Sequence, residues 1–372
     1  MSAVRVGVVK EVERDERRVA LVPESVGRLT GSGFEVLVEI DAGVAAWFSD
    51  DAYSAAGARL VAAEDVAARA DVLVSVGRPA EATLSALRDG QVVIGLLWPS
   101  TDAELLRDLA ARGVTVVSLD RLPRTLSRAQ TMDALTSQAN LSGYKAVLVA
   151  ATEFGRYFPL LTTAAGTAPP ARTLVLGVGV AGLQAIATAR RLGAVVTAYD
   201  IRPAAREEAR SLGAGVLGVE AISDGAGEGG YARTLTAAEQ RALRDELAAH
   251  LGRYDVVITS AQLPGRTPPV LVTADAVKQM AAGSVIVDAA SSEYGGNVEE
   301  SRPGETVVTD NGVTIVGASN LPATMPTAAS TAYSRNIAAL LRHLAPDGGV
   351  VIDCTDEIQA AIVRAHGGEV IA

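Results

Sequence analysis

The string Gly177-Val-Gly-Val-Ala-Gly182 has the spacing of a dinucleotide-binding turn. A short apolar run, Leu174–Leu176, precedes it and an apolar-periodic segment, Ala181–Leu192, follows. A second apolar run, Val195–Tyr199, ends in Asp200, about 20 residues beyond the turn, where such sites place an acid. In that context Gly177 permits a tight turn, Gly179 lets the backbone approach a pyrophosphate, and Gly182 lets helix and strand pack closely. The N–H groups at the start of the helix, with its dipole, would face the phosphates. Candidate nucleotide contacts are therefore Gly177, Val178, Gly179, Val180 and Gly182, followed by Asp200, Ile201 and Arg202. Asp200 would bind ribose hydroxyls and repel a 2′-phosphate, which favours NAD. Arg202 and Arg206 temper that preference, because a nearby arginine can accept the phosphate.

The elements that must position this turn follow an alternating β/α order. Strands are expected at Val4–Val9, Phe34–Ile40, Asp71–Val76, Val92–Leu97, Val114–Ser118, Leu174–Leu176, Val195–Tyr199, Asp255–Thr259, Ser284–Asp288, Val313–Val316 and Val350–Asp353. Helical periodicity appears at Asp102–Arg112, Ala181–Leu192, Ala237–Leu251 and Ser330–Leu344, and one long helix or two in line at Ala129–Tyr157. Strands that are apolar throughout suit parallel sheets covered on both faces. The expected fold class is α/β, with two doubly wound parallel-sheet, Rossmann-like domains joined by long helices. The expected boundaries are residues 1–141 plus 318–372 for the first domain and 142–317 for the nucleotide-binding domain, with Thr162–Pro170 as a breaker-rich link.

Composition excludes several classes. The chain has 372 residues, 33 Lys+Arg against 43 Asp+Glu, and a formal net charge of −10, so neither nucleic acid nor anionic lipid finds a basic surface. Hydrophobic residues make up 49%, enough for two cores, and no apolar run is long enough for a membrane span. A single cysteine, Cys354, rules out an intramolecular disulfide and suits a reducing compartment. No opening segment reads as a signal peptide, so a soluble cytoplasmic chain is expected.

Longer strings carry a family resemblance. Ser127-Arg-Ala-Gln130-Thr-Met-Asp133-Ala-Leu-Thr-Ser-Gln-Ala-Asn140-Leu-Ser-Gly-Tyr144, Thr163-Ala-Ala-Gly-Thr-Ala-Pro-Pro170 and the glycine turn resemble the NAD(H)-binding component of proton-translocating NAD(P) transhydrogenases. Arg17-Arg-Val-Ala-Leu-Val-Pro23, Gly229-Gly-Tyr231-Ala and Asn320-Leu-Pro-Ala-Thr-Met-Pro-Thr-Ala-Ala-Ser330 extend the likeness over nearly the whole chain. The resemblance implies direct hydride passage between NADH here and NADP(H) on a partner subunit, with no metal. It also implies a homodimer and membrane-spanning partners that hold the chain on the inner face of the cytoplasmic membrane. Gln130 and Asp133, with an arginine, would attend the nicotinamide as catalytic residues, and Thr136 would contact its carboxamide. The family string Pro-Arg-Ile-Ser-Arg-Ala-Gln is one residue longer here, Pro123-Arg124-Thr125-Leu126-Ser127-Arg128-Ala129-Gln130, which leaves open whether Arg124 or Arg128 supplies the guanidinium. Gly230 and Tyr231 would belong to a mobile loop that closes on the nucleotide, and Leu263 would pack against the adenine.

Alanine dehydrogenases share this fold and are the competing reading. They carry a Lys in a segment that reads Val74-Ser75-Val76-Gly77-Arg78-Pro79 here, and a His in one that reads Gly95-Leu-Leu-Trp98-Pro99. Amino-acid oxidation needs a proton acceptor, and the only histidines, His250, His343 and His366, lie in neither segment. A catalytically silent NAD sensor would need no groups aimed at the nicotinamide, so the Gln130/Asp133 loop speaks against it.

Overall fold

The computed structural model describes residues 3–97, 103–124, 126–227, 230–262 and 267–371. The chain divides into two compact units: residues 1–138 with 323–372, and residues 139–322. The first unit opens with β1 (Arg5–Val8), β2 (Glu35–Glu39), β3 (Arg59–Val61), β4 (Val72–Val74), β5 (Val92–Gly95) and β6 (Thr115–Ser118). They lie side by side in the order β3-β2-β1-β4-β5-β6, all parallel. Alternate residues feed separate clusters. Val72, Val74, Val92 and Ile94 enter one, whereas Leu73, Val93 and Val116 enter another. Burial on both faces is why these strands read as unbroken apolar runs.

The second unit begins with a small hairpin, β7 (Leu161–Thr163) and β8 (Gly166–Ala168), in the stretch expected to be a link. Its main sheet contains β9 (Arg172–Leu176), β10 (Val195–Tyr199), β11 (Gly215–Val216), β12 (Val256–Thr259), β13 (Val285–Asp288), β14 (Thr306–Val308) and β15 (Thr314–Gly317). The order is β11-β10-β9-β12-β13-β15-β14, parallel except for the edge strand β14. Leu174, Val257, Ile286 and Ile315 are register partners across four strands and share one cluster with Leu243, Leu247 and Leu251 of the helix Ala237–Leu251. Val175 and Ile258 face the other way and pack with Ala185, Ile186 and Ala189 of the helix Val180–Arg191.

The chain then returns to the first unit through the helix Pro326–Leu344, which Pro326 starts four residues before the expected Ser330. The expected strand Val350–Asp353 is irregular. Val351 is 56% exposed, and the free edge of β6 is taken instead by β16 (Val363–His366), antiparallel, followed by β17 (Glu369–Val370). Sequence reading missed β16 because its arginine and terminal histidine break the apolar pattern. The expected helix 129–157 is shorter, Ala134–Glu153, with a 3₁₀ segment, Ser127–Met132, before it.

Within the second unit, one close approach joins Ala134–Glu153 to the helix Val180–Arg191. A β-carbon on Gly143 would lie 2.0 Å from the Ala181 carbonyl oxygen, in the first turn of Val180–Arg191. Gly143→Ala should therefore cost on the order of 2 kcal/mol and weaken dinucleotide binding by shifting that turn. Urea denaturation with NADH titration checks this, and an unchanged midpoint would contradict the close packing.

Candidate functional site

The strand order of the second sheet reverses between β9 and β12, and in this topology ligands usually bind beyond the carboxyl ends of the strands at that point. Gly177 follows β9 with φ +90°, and a β-carbon there would stand 2.8 Å from the Ala261 amide nitrogen. At Gly182 a β-carbon would stand 1.9 Å from the Gly177 carbonyl oxygen. Gly179, the N-cap of Val180–Arg191, differs: a β-carbon would meet nothing within 4 Å. The turn is thus tight toward the protein and open at the helix start. No acid lies in the first turn of this helix, and Arg190 and Arg191 occupy its last. That charge order leaves the amide end free to attract an anion. These features fit a dinucleotide pyrophosphate held by the Val178–Gly182 backbone.

Asp200 stands at the end of β10, its side chain 7% exposed. Oδ2 accepts from Val178 N (2.8 Å) and Arg202 Nη2 (2.8 Å), while Oδ1 accepts from Arg202 N (2.9 Å) and Nε (2.9 Å). Arg202 Nη1 also donates to the Gly230 carbonyl at 2.7 Å, and Nη2 to the Val178 carbonyl at 3.2 Å. The hydrogen bonds that Arg202 donates to Asp200 raise its pKa above the ordinary value, so the guanidinium is fixed as a cation. Burial pushes the neighbouring Tyr199 hydroxyl up to about 12, which keeps it neutral.

Ile201 is half-buried; its carbonyl accepts from Gly225 N at 2.9 Å, and a β-carbon on Gly225 would press 2.4 Å from its Cγ1. The glycine-rich segment is pinned at its base, where Ala226 and Ala232 form an antiparallel bridge and Gly227 N donates to Tyr231 O at 2.8 Å. Gly230 is exposed and Tyr231 half-buried, while Gly229 lies outside the described residues, as do Leu263, Trp98, Pro99 and Thr125.

Two residues that sequence reading passed over order the ends of these strands. Asn297, fully buried, donates from Nδ2 to Ala261 O and Pro269 O, both at 2.8 Å, and accepts from Ala261 N at 2.9 Å. It fixes both flanks of the segment that contains Leu263. Ser260 Oγ donates to Gly177 O at 3.0 Å and ties the ends of β9 and β12 together. The tandem glycines before Asn297 were the available signal, but its partners lie more than 25 residues away in sequence.

In the first unit, the residues around Gln130 form a separate cluster. Asp133 precedes the helix Ala134–Glu153 and caps it, Oδ1 accepting from Thr136 N at 2.8 Å and Oδ2 accepting from the Thr136 hydroxyl. Arg124 joins them, Nη2 donating to Thr136 Oγ1 at 3.1 Å with Nε 3.5 Å from Asp133 Oδ2. Arg128 is drawn elsewhere, with ion pairs to Asp356 at 2.8 Å and Glu357 at 3.2 Å. Of the two arginines left open by the insertion, Arg124 is the one beside Asp133. The Gln130 side chain is exposed between buried Ala129 and the partly covered loop, and Asn336 Nδ2 holds the adjacent Thr131 carbonyl at 2.9 Å.

Ser75, where alanine dehydrogenases carry lysine, is fully buried and donates its hydroxyl to Gly77 O at 2.6 Å. His343 meets Asp356 at 3.1 Å and His366 meets Thr115 at 2.9 Å. Among the described residues, no group of three or more His, Cys, Asp or Glu side chains is placed to hold a metal ion.

The family model "Alanine dehydrogenase/PNT, N-terminal domain" matches residues 7–142, and its C-terminal counterpart matches residues 146–372. The chain belongs to the alanine dehydrogenase/PNT family. Within it, the chain is 44% identical to NAD(P) transhydrogenase subunit alpha of Cereibacter sphaeroides, covering 99% of this chain and 71% of the relative. It is 38% identical to NAD(P) transhydrogenase subunit alpha of Haemophilus influenzae, covering 98% and 71%. The solved transhydrogenase of Sinorhizobium meliloti superposes with a TM-score of 0.88 at 41% identity, covering 99% of this chain and 100% of that one. Alanine dehydrogenase 1 of Staphylococcus aureus is more distant at 28% identity, covering 89% and 84%.

The Asp133 cap makes a separable prediction. Asp133→Ala should cost about 1 kcal/mol of stability through loss of the cap, whereas Asp133→Asn, which keeps an acceptor for Thr136 N, should cost clearly less. Equal losses in urea denaturation would assign the stabilisation to the Arg124 ion pair instead.

Proposed function

We propose that this chain is the NAD(H)-binding component of a proton-translocating NAD(P) transhydrogenase, and that it passes a hydride directly between its own nucleotide and NADP(H) held by a partner subunit. The observation that carries this reading is the trio of Asp133, Thr136 and Arg124 just beyond the exposed Gln130, in a chain whose alanine-dehydrogenase lysine position is the buried Ser75. The relatives' printed names agree, with transhydrogenase alpha subunits at 44% and 38% identity against 28% for alanine dehydrogenase.

The bound nicotinamide supplies the hydride; the protein's task is to hold and orient the ring and to exclude side reactions. The amides that open the helix Val180–Arg191 hold the pyrophosphate, and Asp200 takes the ribose hydroxyls, with Ile201 and Arg202 beside it. Gln130 offers an amide, which binds polar groups without offering a proton. Asp133 and Arg124 orient that amide and balance the charge of the ring as it becomes cationic, and Thr136 takes the carboxamide. Gly230 and Tyr231 close over the nucleotide, and Leu263 covers the adenine. Nothing in this scheme calls for a general acid, which accords with His343 and His366 being paired with Asp356 and Thr115.

In this reading the nucleotide-binding domain spans residues 142–317 and the other domain residues 1–141 plus 318–372. The chain works as a homodimer beside membrane-spanning and NADP(H)-binding subunits on the inner face of the cytoplasmic membrane. Among the described residues no helix is long and apolar enough to cross a membrane.

Gln130→Asn should slow hydride transfer far more than it weakens NADH binding, measured by stopped-flow transfer and equilibrium titration with the partner component present. Equal losses in both would remove Gln130 from the reacting end. Tyr231→Phe should leave the thermal midpoint unchanged and raise the NADH dissociation constant modestly. An unchanged constant would detach Tyr231 from the nucleotide.

A further inference from the structure

We infer that Arg202 occupies the edge of Asp200 that a ribose needs, so that a dinucleotide gains this carboxylate only when the guanidinium leaves it. The inference rests on the reading of Asp200 as the ribose ligand. A carboxylate offers about four acceptor positions, and at Asp200 all four are filled by donors within 3.0 Å.

These donors are of two kinds. Val178 N and Arg202 N belong to the backbone at the turn and the strand end, and each holds one oxygen in place. Arg202 Nε and Nη2 are the two prongs of a movable side chain, one on each oxygen. Withdrawal of the guanidinium frees one acceptor on Oδ1 and one on Oδ2. Two acceptors on adjacent oxygens match the two hydroxyl donors of a ribose 2′,3′-diol, while the backbone bonds keep the carboxylate aimed. The same withdrawal ends the bonds from Arg202 to Gly230 O and Val178 O. Arg202 is therefore an internal competitor of the nucleotide, and its ion pair with Asp200 is subtracted from the binding energy.

The consequence is opposite in sign to that of an arginine that simply contacts the ligand. Arg202→Met should lower the NADH dissociation constant about fivefold, the scale of a partly exposed ion pair. Arg202→Lys, a point charge without the fork, should fall between Met and the native residue. The purified full-length chain should also show a lower thermal midpoint without nucleotide and a larger NADH-induced rise for Arg202→Met. In the double variant with Asp200→Asn, the gain should vanish. Weaker or unchanged NADH binding by Arg202→Met, alongside weaker binding by Asp200→Asn, would overturn the competition and leave Asp200 as the ribose ligand. Unchanged binding by Asp200→Asn alone would overturn the underlying reading as well.

Discussion

Gly182 has no room for a β-carbon, because the Gly177 carbonyl oxygen would lie 1.9 Å away. That contact brings the start of the helix Val180–Arg191 against the end of β9, and it sets where the free amides point. The rest of the second unit serves this approach. The row Leu174–Val257–Ile286–Ile315 fixes strand register, Ser260 ties β12 to Gly177, and Asn297 holds Ala261 and Pro269. Asp200 then holds Val178 N from β10. These contacts hold the backbone of the turn without a ligand, which limits the binding energy spent on ordering it.

Chemistry of this kind asks little of side-chain acidity. Hydride passage between two nicotinamide rings moves no proton, so orientation replaces acid–base catalysis. The charged groups near Gln130 accordingly satisfy one another: Asp133 caps a helix and faces Arg124, and Arg128 is spent on Asp356 and Glu357. Buried Asp288 is similarly structural. Its pKa is raised by burial, and its oxygens accept from Thr259 Oγ1, Ala290 N and Val298 N, so it braces the end of β13.

What could be read from the sequence was local. The doubly buried strands of both sheets announced themselves as apolar runs, and the glycine turn with Asp200 is complete within one βαβ unit. The strands added from the C-terminal part were not legible. The segment Val363–His366 carries Arg364 and lies between β6 and the outer strand β17, whereas the more apolar Val350–Asp353 remains irregular because β16 already fills that edge of β6. The hairpin at Leu161–Ala168 looked like a link because Thr, Gly and Ala give no periodicity. At the site, Asn297 and Asn336 were invisible because their partners are distant in sequence, and no spacing rule covers them. The choice between Arg124 and Arg128 needed the fold, since Asp356 and Glu357 arrive from the far end of the chain.

The most direct test of the central claim is NADH oxidation by the purified chain under two conditions. One supplies pyruvate and ammonia; the other supplies an NADP(H)-binding partner component with an NADP⁺ analogue. Turnover confined to the second is the result expected of a subunit that passes hydride to a nucleotide on its partner. Turnover in the first would mean that another group does the work of the absent lysine and histidine, and the chain would be an amino-acid dehydrogenase.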